Sequence, residues 1–515
     1  MLHRTLYASG ARPPVLPGAK LPARVAGDPL PAGAGDDDPA RALSDAGILA
    51  MDGGHFVFLV HDQQAASAIM AVRSHLDARL PGLRYEVKLG KAGDGALAAD
   101  EAPVSAWLPE GVPQLELCQL SGRGVASATW LHAGETHLVS SASADRAKAG
   151  DRFADGETKD TIGRLQGAGI LPLFGGAWQA PSDFNALCGN EYLAVVHADG
   201  NGIGRRQAAV EAAVAGREWA ERESAVQAFF HAMRVAVREA VVKALVATFG
   251  RLDADTLASF EGVRPYQLLM LGGDDLLLVC RARFALPFLV NYARELAELP
   301  LGNPASPISI GAGVAIARPS VPFHRLHAVA ERLADSAKRL YRGGIDASVA
   351  DWAVFTGAWP DDPIDARRMV ALGTVDGTRL VTSGRPLRVL RAGAKESPLA
   401  SVQGLWERGR ALYGAAAGKR TGRGQLRSLV EALRSGEHVG RMAFEELAPS
   451  AKSALRDAGV TAPWEELVAG PQGRTVLSRV PDLVEVAEIP RLGRARAADH
   501  EPGPGAAGAI EGGVQ

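Results

Sequence analysis

Cysteine is scarce. The three present, Cys118, Cys188 and Cys280, lie far apart and form no CxxC pair. This excludes a disulfide framework and a zinc site built wholly of cysteines, and it suits a reducing compartment. An excess of one charge is also lacking. Lys and Arg number 56 against 58 Asp and Glu, for a net charge of −2. Global charge therefore demands no nucleic-acid partner, although local basic patches stay open. No apolar run reaches the roughly 18 residues that would span a membrane, and no signal peptide opens the chain. A cytoplasmic protein without membrane contact is expected. Apolar residues as such are plentiful: 47% of 515 residues supports two or three domains with proper cores.

Residues 11–40 are rich in Pro, Gly and Asp and read as a loop or insertion. The run "ILAMDGGHFVFLV" (Ile48–Val60) predicts a hairpin of two apolar strands around Gly53-Gly54. An amphipathic helix over Gln63–Leu80 and a strand over Arg84–Leu89 follow. The segment 134–190 is mixed, with a polar helix over Asp151–Leu165. A second unit begins at Glu191. Its expected elements are a buried strand over Tyr192–Ala198, a long helical stretch over Arg206–Phe249 and a hairpin over Gln267–Cys280. A helix over Leu286–Leu299, a strand over Ile308–Ala317, a helix over Phe323–Arg342 and a strand over Asp351–Gly357 complete it. From Pro386 to Val468 the chain reads as helices, and its last residues as a disordered tail. Ile48–Val60 aligns without gaps on "QLLMLGGDDLLLV" (Gln267–Val279), with Met, Gly-Gly and the closing Leu-Val coinciding. The first copy carries His55-Phe56 where the second carries Asp274-Asp275. Two related α+β units are expected, one with carboxylates and one without.

Carboxylates rarely sit in apolar runs unless their charge is compensated. Asp274 and Asp275 do so, at a hairpin tip that Gly272 and Gly273 make suitable for a type I′ turn. Asp199 closes the strand "YLAVVHA" and is followed by glycines at 200, 202 and 204. Each piece alone is ordinary turn chemistry. In this order, each at a strand end, they are far more specific. Three converging carboxylates favour proton uptake or a cation. Their hard oxygens suit Mg²⁺, which takes its other ligands from water and phosphates. Two such ions hold the attacking and leaving oxygens in phosphoryl transfer. The glycines leave backbone open to a triphosphate.

The segments "YLAVVHADGNGIG", "LLMLGGDDLLLV", "SIGAGVAIA" and "AERLADSAKRL" resemble the palm domain shared by GGDEF diguanylate cyclases and the large polymerase-like subunit of type III CRISPR effector complexes. Gly-Gly-Asp-Asp and "HADGNGIG" favour the CRISPR subunit. The resemblance is good over Glu191–Gly357, weak over 48–95, and only a general pattern in the C-terminal helices. It implies an α+β fold with two ferredoxin-like palm domains in tandem plus a C-terminal helical domain. The implied units are a degenerate first palm (1–133), a linker (134–190), a catalytic second palm (191–360), a helical domain (361–488) and a disordered tail (489–515).

The resemblance also implies roles. Asp199, Asp274 and Asp275 match metal-binding catalytic carboxylates, for Mg²⁺ or Mn²⁺. Gly200 matches a position whose carbonyl assists, and Gly272 and Gly273 let nucleotide approach. Lys338 matches a lysine at the triphosphate, with Arg339 a weaker candidate. Ser309 is placed near the base pocket, and His197 is read as structural. The implied reaction joins ATP molecules into a cyclic oligoadenylate, with release of pyrophosphate, in antiviral defence. Implied partners are a guide RNA, repeat-type CRISPR backbone subunits and an activating target RNA, which the basic stretch Gly418–Arg427 would suit as an RNA or subunit contact. Departures matter as well. The lone pair His61-Asp62 lacks the companion histidines of an HD nuclease, so no DNA cleavage is expected. "ELCQLSGRGVAS" (Glu116–Ser127) resembles a worn zinc ribbon with one cysteine, so no zinc is expected. Asn201 stands where relatives carry a second acid. Two alternatives remain: a catalytically idle scaffold of an RNA-guided complex, and a stand-alone GGDEF-like cyclic dinucleotide synthase.

Overall fold

The computed structural model describes residues 179–250, 258–302, 305–357, 378–393, 396–412, 422–470 and 473–493, with shorter pieces between them. Of the first 178 residues it describes 28–29, 48–50, 57–79, 85–90, 98–100, 116–120 and most of 125–147.

The centre of the molecule grows from the run at Leu193. Strand β1 (Leu193–Gly200) leads through helices α1 (Ile203–Ala213) and α2 (Trp219–Phe249) to the hairpin β2 (Tyr266–Gly272) and β3 (Asp275–Arg281). Helix α3 (Ala282–Ala297), strand β4 (Ile310–Ala317), helix α4 (Phe323–Arg342) and strand β5 (Val349–Val354) follow. Further on come β6 (Leu372–Val375), β7 (Thr378–Val381) and β8 (Leu387–Arg388). The main sheet runs β8-β5-β4-β1-β3-β2. Within it β4, β1, β3 and β2 are antiparallel neighbours, and β5 lies parallel to β4. The order β4-β1-β3-β2 with a helical crossover after β1 and another after β3 is the split βαβ, ferredoxin-like arrangement. The expected helical stretch over 206–249 divides into α1 and α2 at a turn that contains Gly216, as a glycine inside a helical run permits.

Both faces of this sheet are covered, which is why its strands read as near-continuous apolar runs. Ala194, Val196 and Ala198 of β1 and Ala312, Val314 and Ile316 of β4 share a core with α2 and α3. Leu193 and Val195 face the other way, with Ala315, Ala317 and the α4 residues Leu326, Val329, Ala330 and Leu333. Helix α4 lies unusually close to β4. A Cβ at Gly313 would run into the Ala330 carbonyl oxygen and lie 2.5 Å from the Ala334 nitrogen.

The C-terminal part is not the wholly helical domain expected. Helices α5 (Val402–Leu412), α6 (Arg423–Ser435), α7 (Glu437–Glu445), α8 (Pro449–Asp457) and α9 (Val480–Glu488) are accompanied by a second sheet. Strands β9 (Glu465–Gly470) and β10 (Gly473–Leu477) complete that sheet, in the order β6-β7-β10-β9. In β10, Val476 and Leu477 are buried in succession while Arg474 near its start pairs with Glu437 and Glu466; so short an apolar run does not by itself separate strand from helix. Leu405, Leu429 and Leu483 join the same apolar core as Leu286 and Leu289 of α3. A buried ionic node reinforces this contact. Arg385 pairs with Asp482 at 3.0 Å and with Glu485 at 2.5 Å, and the Trp352 indole donates to Glu485 Oε2 at 2.8 Å. The tail is expected from residue 489, but its first residues are ordered, and 494–515 lie outside the described residues. Ile489–Arg491 forms a 3-10 turn and Ile489 is buried, because this isoleucine extends the apolar face of α9 into the core.

In the first unit, strands Ile48–Ala50 and Val57–Phe58 pair antiparallel. A helix spans Ala65–Arg79, and a hairpin joins Val87–Leu89 to Ala98–Asp100. The expected helix and strand are thus present and the two strands of the expected hairpin pair, while its Gly53-Gly54 turn lies outside the described residues. The expected loop over 11–40 (all but 28–29), the polar helix over 151–165, and His55-Phe56 lie outside the described residues. Among the described residues no helix is long and apolar enough to cross a membrane.

Candidate active site

The site sits where β1 ends beside the β2–β3 hairpin. Ala198 pairs with Leu276 in the β1–β3 ladder, so the next step outward sets Asp199 against Asp275. The hairpin closes with Gly272 opposite Asp275, which leaves Gly273-Asp274 as a two-residue turn. Gly273 has φ 61°, and Asp274 is not at positive φ. The turn is therefore the II′ form, with glycine in first place, rather than the expected I′ form, because only one of its residues takes the left-handed conformation. One carboxylate oxygen from each of Asp199, Asp274 and Asp275 lies within 4.8 Å of the others. The three residues singled out from the sequence are brought together.

Gly200 makes that approach possible. A Cβ there would stand 2.7 Å from Asp274 Oδ2. Burial, first, and the negative field of Asp199, second, push the Asp274 carboxyl up to about 7 and the Asp275 carboxyl up to about 6. Lys338 offsets part of this at Asp275. Lys338 Nζ forms an ion pair with Asp199 Oδ2. The lysine expected at a triphosphate therefore rests, in this structure, on the carboxylate cluster. Its stem crosses Gly311, the residue that pairs with Asp199 in the β1–β4 ladder; a Cβ at Gly311 would run into Lys338 Cγ. Arg339 is exposed, one step round the helix from Lys338.

Asn201 is buried and tightly placed. Its backbone N–H donates to the Ser309 carbonyl at 2.8 Å, and its side-chain amide donates to Ser309 Oγ and the Ala347 carbonyl, both at 3.3 Å. Asn201 Oδ1 is buried without a hydrogen-bond partner. Ser309, expected near a base pocket, serves to hold Asn201. Gly202, at φ 68°, turns the chain into α1 beneath the Tyr341 hydroxyl, to which Arg205 donates at 2.5 Å. Gly272 has open space beside it. His197, two residues before Asp199, is kept neutral by burial, which lowers its pKa. The sequence reading missed Gly311, Tyr341 and Arg205. Gly311 lies in an apolar strand, where a glycine often marks close approach of another group.

The donor set fits a hard divalent cation. Three carboxylates share one small volume, two of them hold protons more tightly than normal because of burial and mutual repulsion that Lys338 offsets only in part, and the buried Asn201 amide oxygen lacks a donor. Asp199, Asp274 and Asp275 would hold such an ion. Elsewhere, His61 and Asp62 are exposed at the start of a 3-10 turn. Cys118 is buried, with its thiol donating to Ser143 Oγ. Of the basic stretch, 418–421 lies outside the described residues, and Arg427 forms a two-point pair with Glu488.

No family model and no curated protein sequence matches the chain. Solved structures do resemble it. One is the Csm1–Csm4 cassette in complex with cA4, at 14% identity and TM-score 0.32, covering 58% of this chain and 36% of that one. Another is Csm1 in T. onnurineus, at 13% identity and TM-score 0.33, covering 58% and 37%. A third is the Csm1–Csm4 subcomplex of the type III-A CRISPR–Csm interference complex, at 13% identity and TM-score 0.24, covering 52% and 36%. The chain thus spans little more than a third of the length of those chains.

Proposed function

We propose that this chain is a metal-dependent nucleotidyl cyclase that joins ATP molecules into a cyclic oligoadenylate, as the polymerase-like subunit of a type III CRISPR effector complex. The observation that carries the reading is the convergence of Asp199, Asp274 and Asp275 at the joined ends of β1 and the β2–β3 hairpin. A trio of carboxylates that repel one another is relieved by proton uptake or by a bound cation, and at strand ends beside open glycines the cation is the reading we favour. Mg²⁺ or Mn²⁺, when bound, supplies Lewis-acid stabilisation of the phosphoryl group being transferred.

The chain's own part is placement and charge. Asp199, Asp274 and Asp275 hold the ion-binding oxygens on rigid strand ends. Gly272 and Gly273 leave room for a triphosphate against the hairpin. Lys338, once its place on Asp199 is taken by a cation, is free to swing to the phosphates. The 3′-hydroxyl of one ATP attacks the α-phosphate of another; the O–P bond forms as the hydroxyl proton passes to water, the α–β phosphoanhydride bond breaks, and pyrophosphate leaves. After repetition, the terminal 3′-hydroxyl attacks the chain's own α-phosphate in the same way and closes the ring. No covalent protein nucleophile is needed, since positioning and charge neutralisation carry such reactions. The N-terminal unit is proposed as a degenerate first palm that shapes the acceptor site. Guide RNA, backbone subunits and target RNA are proposed partners.

A scaffold role is the second reading. It draws on the Lys338–Asp199 pair, which fills a ligand position with the protein's own cation. Incubation of the purified chain with each radiolabelled NTP and Mg²⁺ or Mn²⁺, with and without guide complex and target RNA, separates the two. A cyclic adenylate that disappears in an Asp274→Ala/Asp275→Ala variant is the expected result. No product under any of these conditions would leave the scaffold reading standing.

A further inference from the structure

A second cluster of ligating side chains lies on the α4 face of the sheet, next to the acidic site but separate from it. His197 is on β1, two residues before Asp199 and on the same side of the strand. His327 and Glu331 lie one turn apart on α4. One nitrogen of each histidine and one oxygen of the glutamate fall within 4.8 Å of one another. His327 Nε2 stands 3.7 Å from Glu331 Oε1, too far for a hydrogen bond. Two ring nitrogens here, His197 Nδ1 and His327 Nε2, are buried with no hydrogen-bond partner. Buried polar atoms left this way are uncommon and call for an unseen partner. The two rings meet edge-on, with centroids 5.6 Å apart, and Phe323 stacks on His327 at 5.9 Å, so the cluster has an apolar wall.

We propose that His197, His327 and Glu331 form a transition-metal site, of the Zn²⁺ class, that pins α4 to β1. Two imidazoles and a carboxylate are a familiar zinc donor set, with a fourth position left for water. Tetrahedral Zn²⁺ with bonds of about 2.0–2.2 Å wants ligand atoms roughly 3.3 Å apart, so the three side chains need to close by about 1 Å or more. Glu331 is exposed and His327 partly exposed, so both side chains have room to turn toward that geometry. Ligand softness separates the two sites: the all-oxygen trio at Asp199 selects Mg²⁺ or Mn²⁺, whereas imidazole favours zinc, copper or nickel. Lys338 lies seven residues beyond Glu331, on the same helical stripe. Clamping α4 at His327 and Glu331 therefore positions the helix that aims Lys338 at Asp199. The proposal does not depend on the cyclase reading.

The test is a titration of the full chain with Co²⁺ alone, followed by visible absorption. One equivalent should raise the d–d bands of a low-coordinate site, and one equivalent of Zn²⁺ should abolish them. His327→Gln and Glu331→Gln, both at solvent-accessible helix positions, should each weaken binding by about tenfold or more, while Asp274→Asn/Asp275→Asn should keep the bands. Absence of the bands would overturn the proposal. So would their survival in both His327→Gln and Glu331→Gln, or their loss in the acid-pair variant alone.

Discussion

The stem of Lys338 lies where a side chain at Gly311 would be, and this is how a lysine from α4 reaches Asp199 across the sheet. The contact joins three elements, since Gly311 on β4 pairs with Asp199 on β1. A methyl group at 311 must push the lysine aside. Gly311→Ala is expected to break the Lys338–Asp199 pair and to lower stability by about 1–2 kcal/mol, the usual scale of overpacking. Urea denaturation measures the loss, and Lys338→Ala should erase most of it by removing the Cγ that a side chain at 311 meets.

Gly313, two residues along, should behave differently. There the obstacle is the backbone of α4, at Ala330 and Ala334, and not a flexible side chain. Gly313→Ala should destabilise by more than Gly311→Ala, on the order of 3 kcal/mol or beyond. No change at Lys338 should rescue it. Equal midpoints for the two alanine variants would show that the helix can retreat.

The acidic trio predicts a pH dependence whose sign follows from its raised carboxyls. In the fold Asp274 titrates at about 7 and Asp275 at about 6, above the ordinary 3.8. The folded chain therefore holds protons that the unfolded chain has already lost, and stability falls as pH rises from about 4 to about 7. Relative to an Asp274→Asn/Asp275→Asn variant, the metal-free protein should lose Tm between pH 5 and pH 8. Mg²⁺ should restore it at pH 8 and do little at pH 5, where the carboxyls are protonated. A Mg²⁺ effect equal at both values, measured by scanning calorimetry, would count against cation binding at these residues.

Arg385 offers a test of the contact between the main sheet and the C-terminal helices. Asp482 is almost wholly buried and Arg385 is its ionic partner, although the Ser383 hydroxyl and the Gly384 N–H also donate to it. Arg385→Met leaves that carboxylate without a counter-charge and should cost about 3–5 kcal/mol. An Arg385→Met/Asp482→Asn double variant should recover part of this. Both follow from chemical denaturation, and a loss below 1 kcal/mol for the single change would mean that Asp482 takes up a proton instead.

Much of the site was legible in the chain itself. Asp199 and Asp274-Asp275 stand out because charge in an apolar run, beside glycines and at strand ends, has few structural explanations. The strands and helices from Leu193 to Val354 follow from run length and periodicity, because a sheet covered on both faces writes unbroken apolar strands. Less was legible after residue 361. There, the short hairpin Glu465–Leu477 joins its sheet through residues nearly a hundred positions away, and no local pattern reports a distant partner. The sequence by itself determined which residues carry charge and where strands must end. Only the tertiary structure decided that β1 and β3 lie side by side, that Lys338 passes over Gly311 to Asp199, and that His197 meets His327 and Glu331. These are meetings across the sheet and from helix to strand, and they depend on register and on the closeness of α4, which are properties of the packed chain and not of any one segment.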